Sequence, residues 1–163
     1  NREAFLANAE TVENANSTTL VAENIGEAAV YNWYDSEGNL IYTGAELVVS
    51  PEISQTYKLE IISDLDGFKD YKEIEVTGNS PFALNNLVPN PANSQVTVSY
   101  DVSSATSAYL MITNTATGSS NNYILDTNTS QTNVNLSIYQ PGIYTVTLVC
   151  NGAIISSKNL VKN

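Results

Sequence analysis

Tyr57-Lys58-Leu59-Glu60-Ile61 alternates apolar and charged residues with a period of two. That period places Tyr57, Leu59 and Ile61 on one face of a strand and sends Lys58 and Glu60 to water. The segment decides the fold class because its character recurs on both sides. Runs rich in Val, Ile, Tyr and Thr lie at about 19–25, 29–35, 39–43, 46–50, 55–63 and 69–77, none with a helical period. Asp35-Ser36-Glu37-Gly38-Asn39 and Asp64-Leu65-Asp66-Gly67 supply reversals, since Asp, Asn and Gly tolerate the positive φ of tight hairpin turns. Further strands are predicted at about 84–88, 95–102, 107–113, 122–126, 132–138, 143–150 and 153–161. In these, Val96, Val98 and Tyr100 form one inward set, Val134, Leu136 and Ile138 a second, and Tyr144, Val146, Leu148 and Cys150 a third. Cys150 therefore reads as a buried, inert thiol. The expected fold is all-β, with two tandem β-sandwich domains and seven strands in the second.

Charge separates the two halves. Of the 17 acidic and 6 basic residues, all but Asp101, Asp126, Lys158 and Lys162 precede Gly78, so the first half carries the whole net charge of −11. The change falls at Thr77-Gly78-Asn79-Ser80-Pro81, where a conformationally free Gly and a Pro that cannot continue a ladder predict a linker over 78–83. The expected domains are 17–77 and 84–163. Residues 1–16, with Glu3-Ala4-Phe5-Leu6-Ala7 as a short helix or the last strand of a preceding domain, are expected to be a linker or tail. The chain starts at Asn1 with no secretion signal, so it is expected to be the processed or excised end of something longer, with any catalytic partner upstream.

Composition excludes several functions. An acidic chain of this kind offers no electrostatic footprint for nucleic acid, and no apolar run is long enough to span a bilayer. With no histidine and a single cysteine, the imidazole base of a serine or cysteine hydrolase, His-rich zinc sites and intrachain disulfides are all excluded. No cofactor is expected.

Trp33 stands 13 residues after Leu20 and is followed by Tyr57-Lys58-Leu59. Residues 17–77 thereby resemble an immunoglobulin-like sandwich in which Leu20 and Leu59 occupy the positions of the antibody cysteines. The resemblance implies that Trp33 packs across the core and that Tyr57 is a tyrosine corner, its ring buried and its hydroxyl bonded to nearby backbone.

Three motifs mark the second half: Leu87-Val88-Pro89-Asn90-Pro91-Ala92, the run from Leu136 through Gly142-Ile143-Tyr144-Thr145-Val146-Thr147-Leu148, and Asn151-Gly152 followed by Lys158-Asn159-Leu160-Val161-Lys162-Asn163. In order and spacing they resemble the type A C-terminal sorting domain of the type IX secretion system of Bacteroidetes, over residues 82–163. The resemblance implies a non-catalytic signal read by the outer-membrane secretion machinery, including its shuttle protein and its sortase. The sortase would cut before the domain and commonly attach the passenger to lipopolysaccharide, giving a secreted or cell-surface product. The implied motif residues are Pro89, Asn90, Pro91, Gly142, Tyr144, Lys158, Leu160, Val161 and Lys162. A protease needs an extended segment, so the cut is expected within Gly78, Asn79, Ser80, Pro81, Phe82 and Ala83. Each motif also has a purely structural reading: prolines that stiffen a lead-in, a turn glycine, a core tyrosine and edge-strand lysines that block aggregation.

Two other constellations carry chemistry. Asp64, Asp66 and Asp70 around Gly67 are the candidate metal ligands, but they lack the distal Glu of a calcium loop, and Asp-Gly between strands is the ordinary hairpin signal. Tyr31, Trp33, Tyr34, Tyr42, Tyr57 and Tyr71 could serve an adhesive or carbohydrate-binding sandwich, the alternative function. Alternation buries Trp33 and Tyr57 and leaves Tyr34 and Tyr42 as the exposed candidates. The spread of the acidic residues over turns and outward positions favours a solvated face over a glycosidase carboxylate pair.

Overall fold

The computed structural model describes residues 5–163, all of whose regular elements are strands. It divides into two compact units, one ending at Asn79 and the other beginning at Ser80. The first holds β1 (Ala9–Glu13), β2 (Thr18–Ala22), β3 (Ala29–Tyr34), β4 (Leu40–Thr43), β5 (Glu46–Val49), β6 (Gln55–Ser63) and β7 (Lys69–Val76). Antiparallel ladders join β1-β2-β5 in one layer and β4-β3-β6-β7 in the other. Leu20, Leu47 and Val49 from the first layer are buried, as are Trp33, Tyr57, Leu59 and Ile61 from the second. Leu20 and Leu59 thus stand in opposite layers, where an immunoglobulin domain places its disulfide, and Trp33 lies directly opposite Leu59 in the ladder. The indole N–H of Trp33 donates to the Gly44 carbonyl at 2.8 Å, which pairs its one polar atom inside the core.

The second unit holds β8 (Ala83–Val88), β9 (Gln95–Asp101), β10 (Ala108–Asn114), β11 (Ser120–Ile124), β12 (Gln131–Asn135), β13 (Gly142–Cys150) and β14 (Ala153–Lys162). Its ladders run β8-β9-β12 and β11-β10-β13-β14. The two units therefore share one topology, with first, second and fifth strands in one layer and fourth, third, sixth and seventh in the other. Val96, Val98, Tyr100, Leu110, Ile112, Val134, Leu136, Tyr144, Val146 and Leu148 fill the second core. The tight β13–β14 reversal uses Asn151 at φ 54° and Gly152 at φ 79°, and Asn151 Oδ1 accepts from the Thr106 amide and hydroxyl, both at 2.9 Å. Cys150 is fully buried, and burial pushes its thiol pKa up to about 12.

Four expectations are corrected. Residues 9–13, expected within a linker, form β1 and pair with β2. Ala7 N–H donates to Asp70 Oδ2 at 2.7 Å, so the start of the described chain is tied to β7. The Ala9–Glu13 side chains are almost all exposed, which left no alternation to read; backbone pairing alone makes this strand. The part of that expectation falling on residues 1–4 lies outside the described residues.

Glu60, expected in water, is only 7% exposed. Its Oε1 accepts from Asn32 Nδ2 at 3.0 Å and from the Tyr34 hydroxyl at 3.1 Å. Beside it the Lys58 ammonium lies over the rings of Tyr34 and Tyr71, at 5.5 and 5.2 Å. Burial alone would raise the Glu60 pKa, but hydrogen bonds from Asn32, Tyr71 and Tyr34 and the charge of Lys69 outweigh it and hold the carboxyl below its ordinary value.

Ile138, expected inside, is 72% exposed. β12 stops at Asn135, and a turn in which Ser137 N–H donates to Asn135 Oδ1 and Tyr139 N–H to the Leu136 carbonyl breaks the period of two. Tyr139 is the residue buried in its stead.

Tyr57 has the buried ring expected of it, but its hydroxyl has no hydrogen-bond partner among the described residues. The corner bond occurs instead in the second unit. Tyr144 and Tyr57 are each the third residue of the sixth strand of their unit, and the Tyr144 hydroxyl donates to the Gln140 carbonyl, four residues back, at 2.7 Å.

Candidate functional site

The three motifs of the second half, whose bonded residues lie up to 71 positions apart in sequence, meet at the C-terminal half of β14. β13 supplies one side: Gly142 lies opposite Lys162, Ile143 opposite Val161, Tyr144 opposite Leu160 and Val146 opposite Lys158. The other side of β14 is met by the segment that follows β8. Asn90 Nδ2 donates to the Asn159 carbonyl at 2.8 Å, while Val161 N–H donates to Asn90 Oδ1 at 3.0 Å. Ala92 N–H donates to the Val161 carbonyl at 2.8 Å, and Asn163 N–H donates to the Ala92 carbonyl at 2.9 Å. Ala92 and Lys162 form a parallel bridge.

This is a parallel ladder with one rung made by a side chain. In a parallel pair, one residue bonds the carbonyl before and the amide after the residue it faces. Ala92 does this with its backbone around Lys162; Asn90 does it with its side-chain amide around Leu160. Alternate residues of a parallel strand face the same partner, so the rung before Ala92 falls to Asn90 and not to Pro89 or Pro91. The amide of Asn90, which has both a donor and an acceptor, takes the place of a peptide group. Both peptide bonds into these prolines are cis.

The motif residues divide by exposure. Leu160 and Tyr144 are buried and serve the core, with the rings of Tyr144 and Tyr139 in edge contact at 5.1 Å. Pro89, Asn90, Pro91, Lys158 and Val161 face solvent; Gly142 and Lys162 are half-buried, and Lys162 Nζ donates to the Asn163 carbonyl at 2.9 Å. A side chain at Gly142 would meet nothing within 4 Å, so space does not explain that glycine. Val161 and Ile143 are 37% and 54% exposed and lie directly opposite each other. Ile143 and Ala92 were not singled out as site residues by the sequence reading. Their place beside the other motif residues was the available signal.

At the junction, Gly78 N–H donates to Ser54 Oγ at 3.0 Å and Asn79 N–H to the Pro51 carbonyl at 3.1 Å. Asn79 and Pro81 are exposed, Ser80 is half-buried, Phe82 is buried, and Ala83 already belongs to β8.

The candidate metal ligands are not brought together. Among the described residues no group of three or more carboxylate, His or Cys side chains is placed to hold a metal ion. The Asp70 carboxylate is taken by Ala7, and Asp66 Oδ1 by the Phe68 amide at 3.1 Å. Of the aromatic residues, Trp33 and Tyr57 are internal, half-buried Tyr34 and exposed Tyr71 meet only around Glu60 and Lys58, and exposed Tyr42 lies apart on β4, an outer strand of the layer. Among the described residues no helix is long and apolar enough to cross a membrane.

The family model for the secretion system C-terminal sorting domain matches residues 86–163. No curated protein matches in sequence. Solved structures resembling the chain include a two-domain fibronectin type-III segment of chicken tenascin, 10% identical, covering 93% of this chain and 95% of that one, TM-score 0.36. Another is the BSP domain of a biofilm-associated protein, 15% identical over 97% of this chain and 29% of that one, TM-score 0.37. A third is dimeric latent PorU of Porphyromonas gingivalis, 12% identical over 95% of this chain and 20% of that one, TM-score 0.37.

Proposed function

Because residues 86–163 belong to the secretion system C-terminal sorting domain family, a non-catalytic kind of module that marks proteins for export to the cell surface or medium, we propose how this copy is read. The strip around the end of β14 is the docking surface for the type IX shuttle protein: Pro89, Asn90 and Pro91 on its flank, Val161 with Ile143 on one face, and exposed Lys158 and half-buried Lys162, which alternate to the other face. Leu160, Tyr144 and the Asn90 rung hold that strip in one geometry. A sortase then separates the domain from its passenger within residues 78–83 and transfers the passenger to lipopolysaccharide. The first unit is an immunoglobulin-like spacer that keeps the passenger away from the sorting domain. An enzyme, adhesin or other exported activity belongs to the passenger upstream.

The observation that carries this reading is the meeting of three separated motifs on the last strand. Two of the motifs meet as the paired strands of one hairpin, but local structure gives no reason for the segment at 89–92 to join them through Asn90 and Ala92. The test fuses residues 79–163 to a folded reporter in a host with a type IX system and follows the reporter to the surface or medium. Export is expected with the intact segment and lost on deletion of residues 154–163. The double variant Lys158→Ala/Lys162→Ala is expected to lower export while leaving thermal stability unchanged, because removing surface charges rarely costs stability but weakens electrostatic docking. A reporter that stays periplasmic with the intact segment, or is exported equally well without residues 154–163, overturns the reading in favour of an adhesive or spacer tandem.

A further inference from the structure

We infer that the Asn79–Ser80 peptide bond is the point at which this chain is cut, and that the Pro51–Ser54 loop restrains that cut by holding the upstream flank. The inference rests on the proposed processing between passenger and sorting domain and narrows it to one bond. β7 ends at Val76 and β8 begins at Ala83, so the ladders leave only the backbone between them for a protease to draw out. Within that stretch the bonds are not equivalent. Gly78 is packed backbone on backbone: a Cβ there would lie 2.1 Å from the Ile53 carbonyl carbon and 2.4 Å from Ser54 N. Its amide is held by Ser54 Oγ at 3.0 Å, and the next amide, Asn79, by the Pro51 carbonyl at 3.1 Å. On the other flank the Phe82 side chain is 5% exposed and its amide donates to Ser80 Oγ at 3.0 Å. The Ser80–Pro81 bond is a tertiary amide with no N–H and a ring on its leaving-group side, a poor fit for a protease cleft. What remains is Asn79–Ser80, with Asn79 exposed and the Ser80 amide donating no hydrogen bond among the described residues. Breaking that C–N bond releases Ser80 as a free amino group in either case: hydrolysis by subtilisin adds one water and leaves a carboxylate on Asn79, whereas the proposed transfer passes the Asn79 acyl group to a nucleophile on the lipopolysaccharide.

A cleft must also grip residues on either side of the bond, so one flank has to lift. The upstream flank is the weaker. It rests on a loop that lacks the bond fixing its counterpart: Tyr144 pins the Gln140 carbonyl at the equivalent corner of the second unit, while the Tyr57 hydroxyl is buried and unpartnered. Two hydrogen bonds hold Gly78–Asn79 to that loop, and releasing them frees the scissile bond without opening either strand layer.

The experiment exposes the whole chain to a trace of subtilisin and reads fragment masses at early times. The first cut is expected at Asn79–Ser80. Ser54→Ala, which removes the acceptor for Gly78, is expected to speed that cut about five- to tenfold, as the loss of one hydrogen bond would. Gly78→Ala, which forces the junction off Ile53, should speed it at least as much, and both variants should keep the thermal transition of the parent. A first cut in any other loop, or an unchanged rate in both variants, overturns the inference. A second arm maps the passenger's new C-terminus in a type IX host. An end at Asn79 supports the inference; a cut elsewhere overturns it while the proposed processing stands. No cut in cells, with Asn79–Ser80 still the first bond lost to subtilisin, overturns the proposed processing and, with it, the cellular role given to this bond.

Discussion

Replacing Asn90 by alanine removes the only side-chain rung of the ladder along β14, and the consequence is local enough to be read amide by amide. Two hydrogen bonds are lost, at 2.8 and 3.0 Å, each worth a net 0.5–1.5 kcal/mol in general and toward the low end here because the site is exposed. The opening free energy of the last turns of β14 should fall by about 1–2 kcal/mol, which raises the opened population roughly 5- to 30-fold. Hydrogen exchange on the intact chain reports this directly, because Val161 N–H donates to Asn90 and not to β13. The expected result is faster exchange at Val161 and Asn163, with Leu148 and Val146 in β13 unchanged. Asn90→Asp keeps an acceptor for Val161 but sets a carboxylate against the Asn159 carbonyl, so it should recover Val161 protection only in part. Equal protection of Val161 in parent and Asn90→Ala would refute the rung. Uniform loosening of the whole second unit would refute its local character.

Three further outcomes follow from individual groups. Tyr144→Phe should cost about 1 kcal/mol in denaturant unfolding, since it strands the Gln140 carbonyl, whereas Tyr57→Phe should be neutral or slightly stabilising because it deletes a buried hydroxyl that has no partner. The Glu60 carboxyl is held below its ordinary pKa, so its contribution to the first unit is present above the unfolded value of about 4.3 and is lost as pH falls through the lower folded value. Denaturation midpoints of Glu60→Gln at pH 7 and pH 3 should therefore differ less than those of the parent. Cys150, with its thiol raised to about 12 by burial, should resist iodoacetamide at pH 8 in the folded chain and react once the chain is unfolded in urea.

How much was legible in the sequence depends on how local the cause is. Alternation from Tyr57 to Ile61 names the buried face correctly because side-chain direction follows from the pleat alone. The same alternation does not say what covers the outer face, and Glu60 is buried by Tyr34 and Asn32, which lie 26 and 28 residues away and reach it only through β3–β6 pairing. Tyr57 and Tyr144 hold the same place in the same strand of the same topology, so nothing in their strands distinguishes them. The difference lies in the preceding loop. Gln140 presents its carbonyl to Tyr144, while the Pro51–Ser54 loop is engaged by Gly78 and Asn79, a contact set by chain more than twenty residues further on.

The motif at residues 89–92 shows why a short, exposed pattern can be recognisable and yet unexplained until the fold is known. Two prolines in three residues remove two backbone donors from a stretch that lies beside a strand, which on its own reads as a way to prevent pairing. The residue between them supplies one donor and one acceptor through its side chain, one rung before the place where Ala92 continues the ladder with its backbone two residues later. An amide side chain supplies the two functions on separate atoms, spaced as in a peptide group. Asn carries it on a single methylene, whereas Gln would push the same group one carbon further out. The Pro-Asn-Pro pattern is thus the form a ladder takes when the residue facing Leu160 bonds the strand through its side-chain amide in place of its own backbone. Its partner residues, Asn159, Val161 and Asn163, take part through backbone carbonyl and amide groups alone, so this contact constrains them only to the extent that proline is barred where an N–H donates.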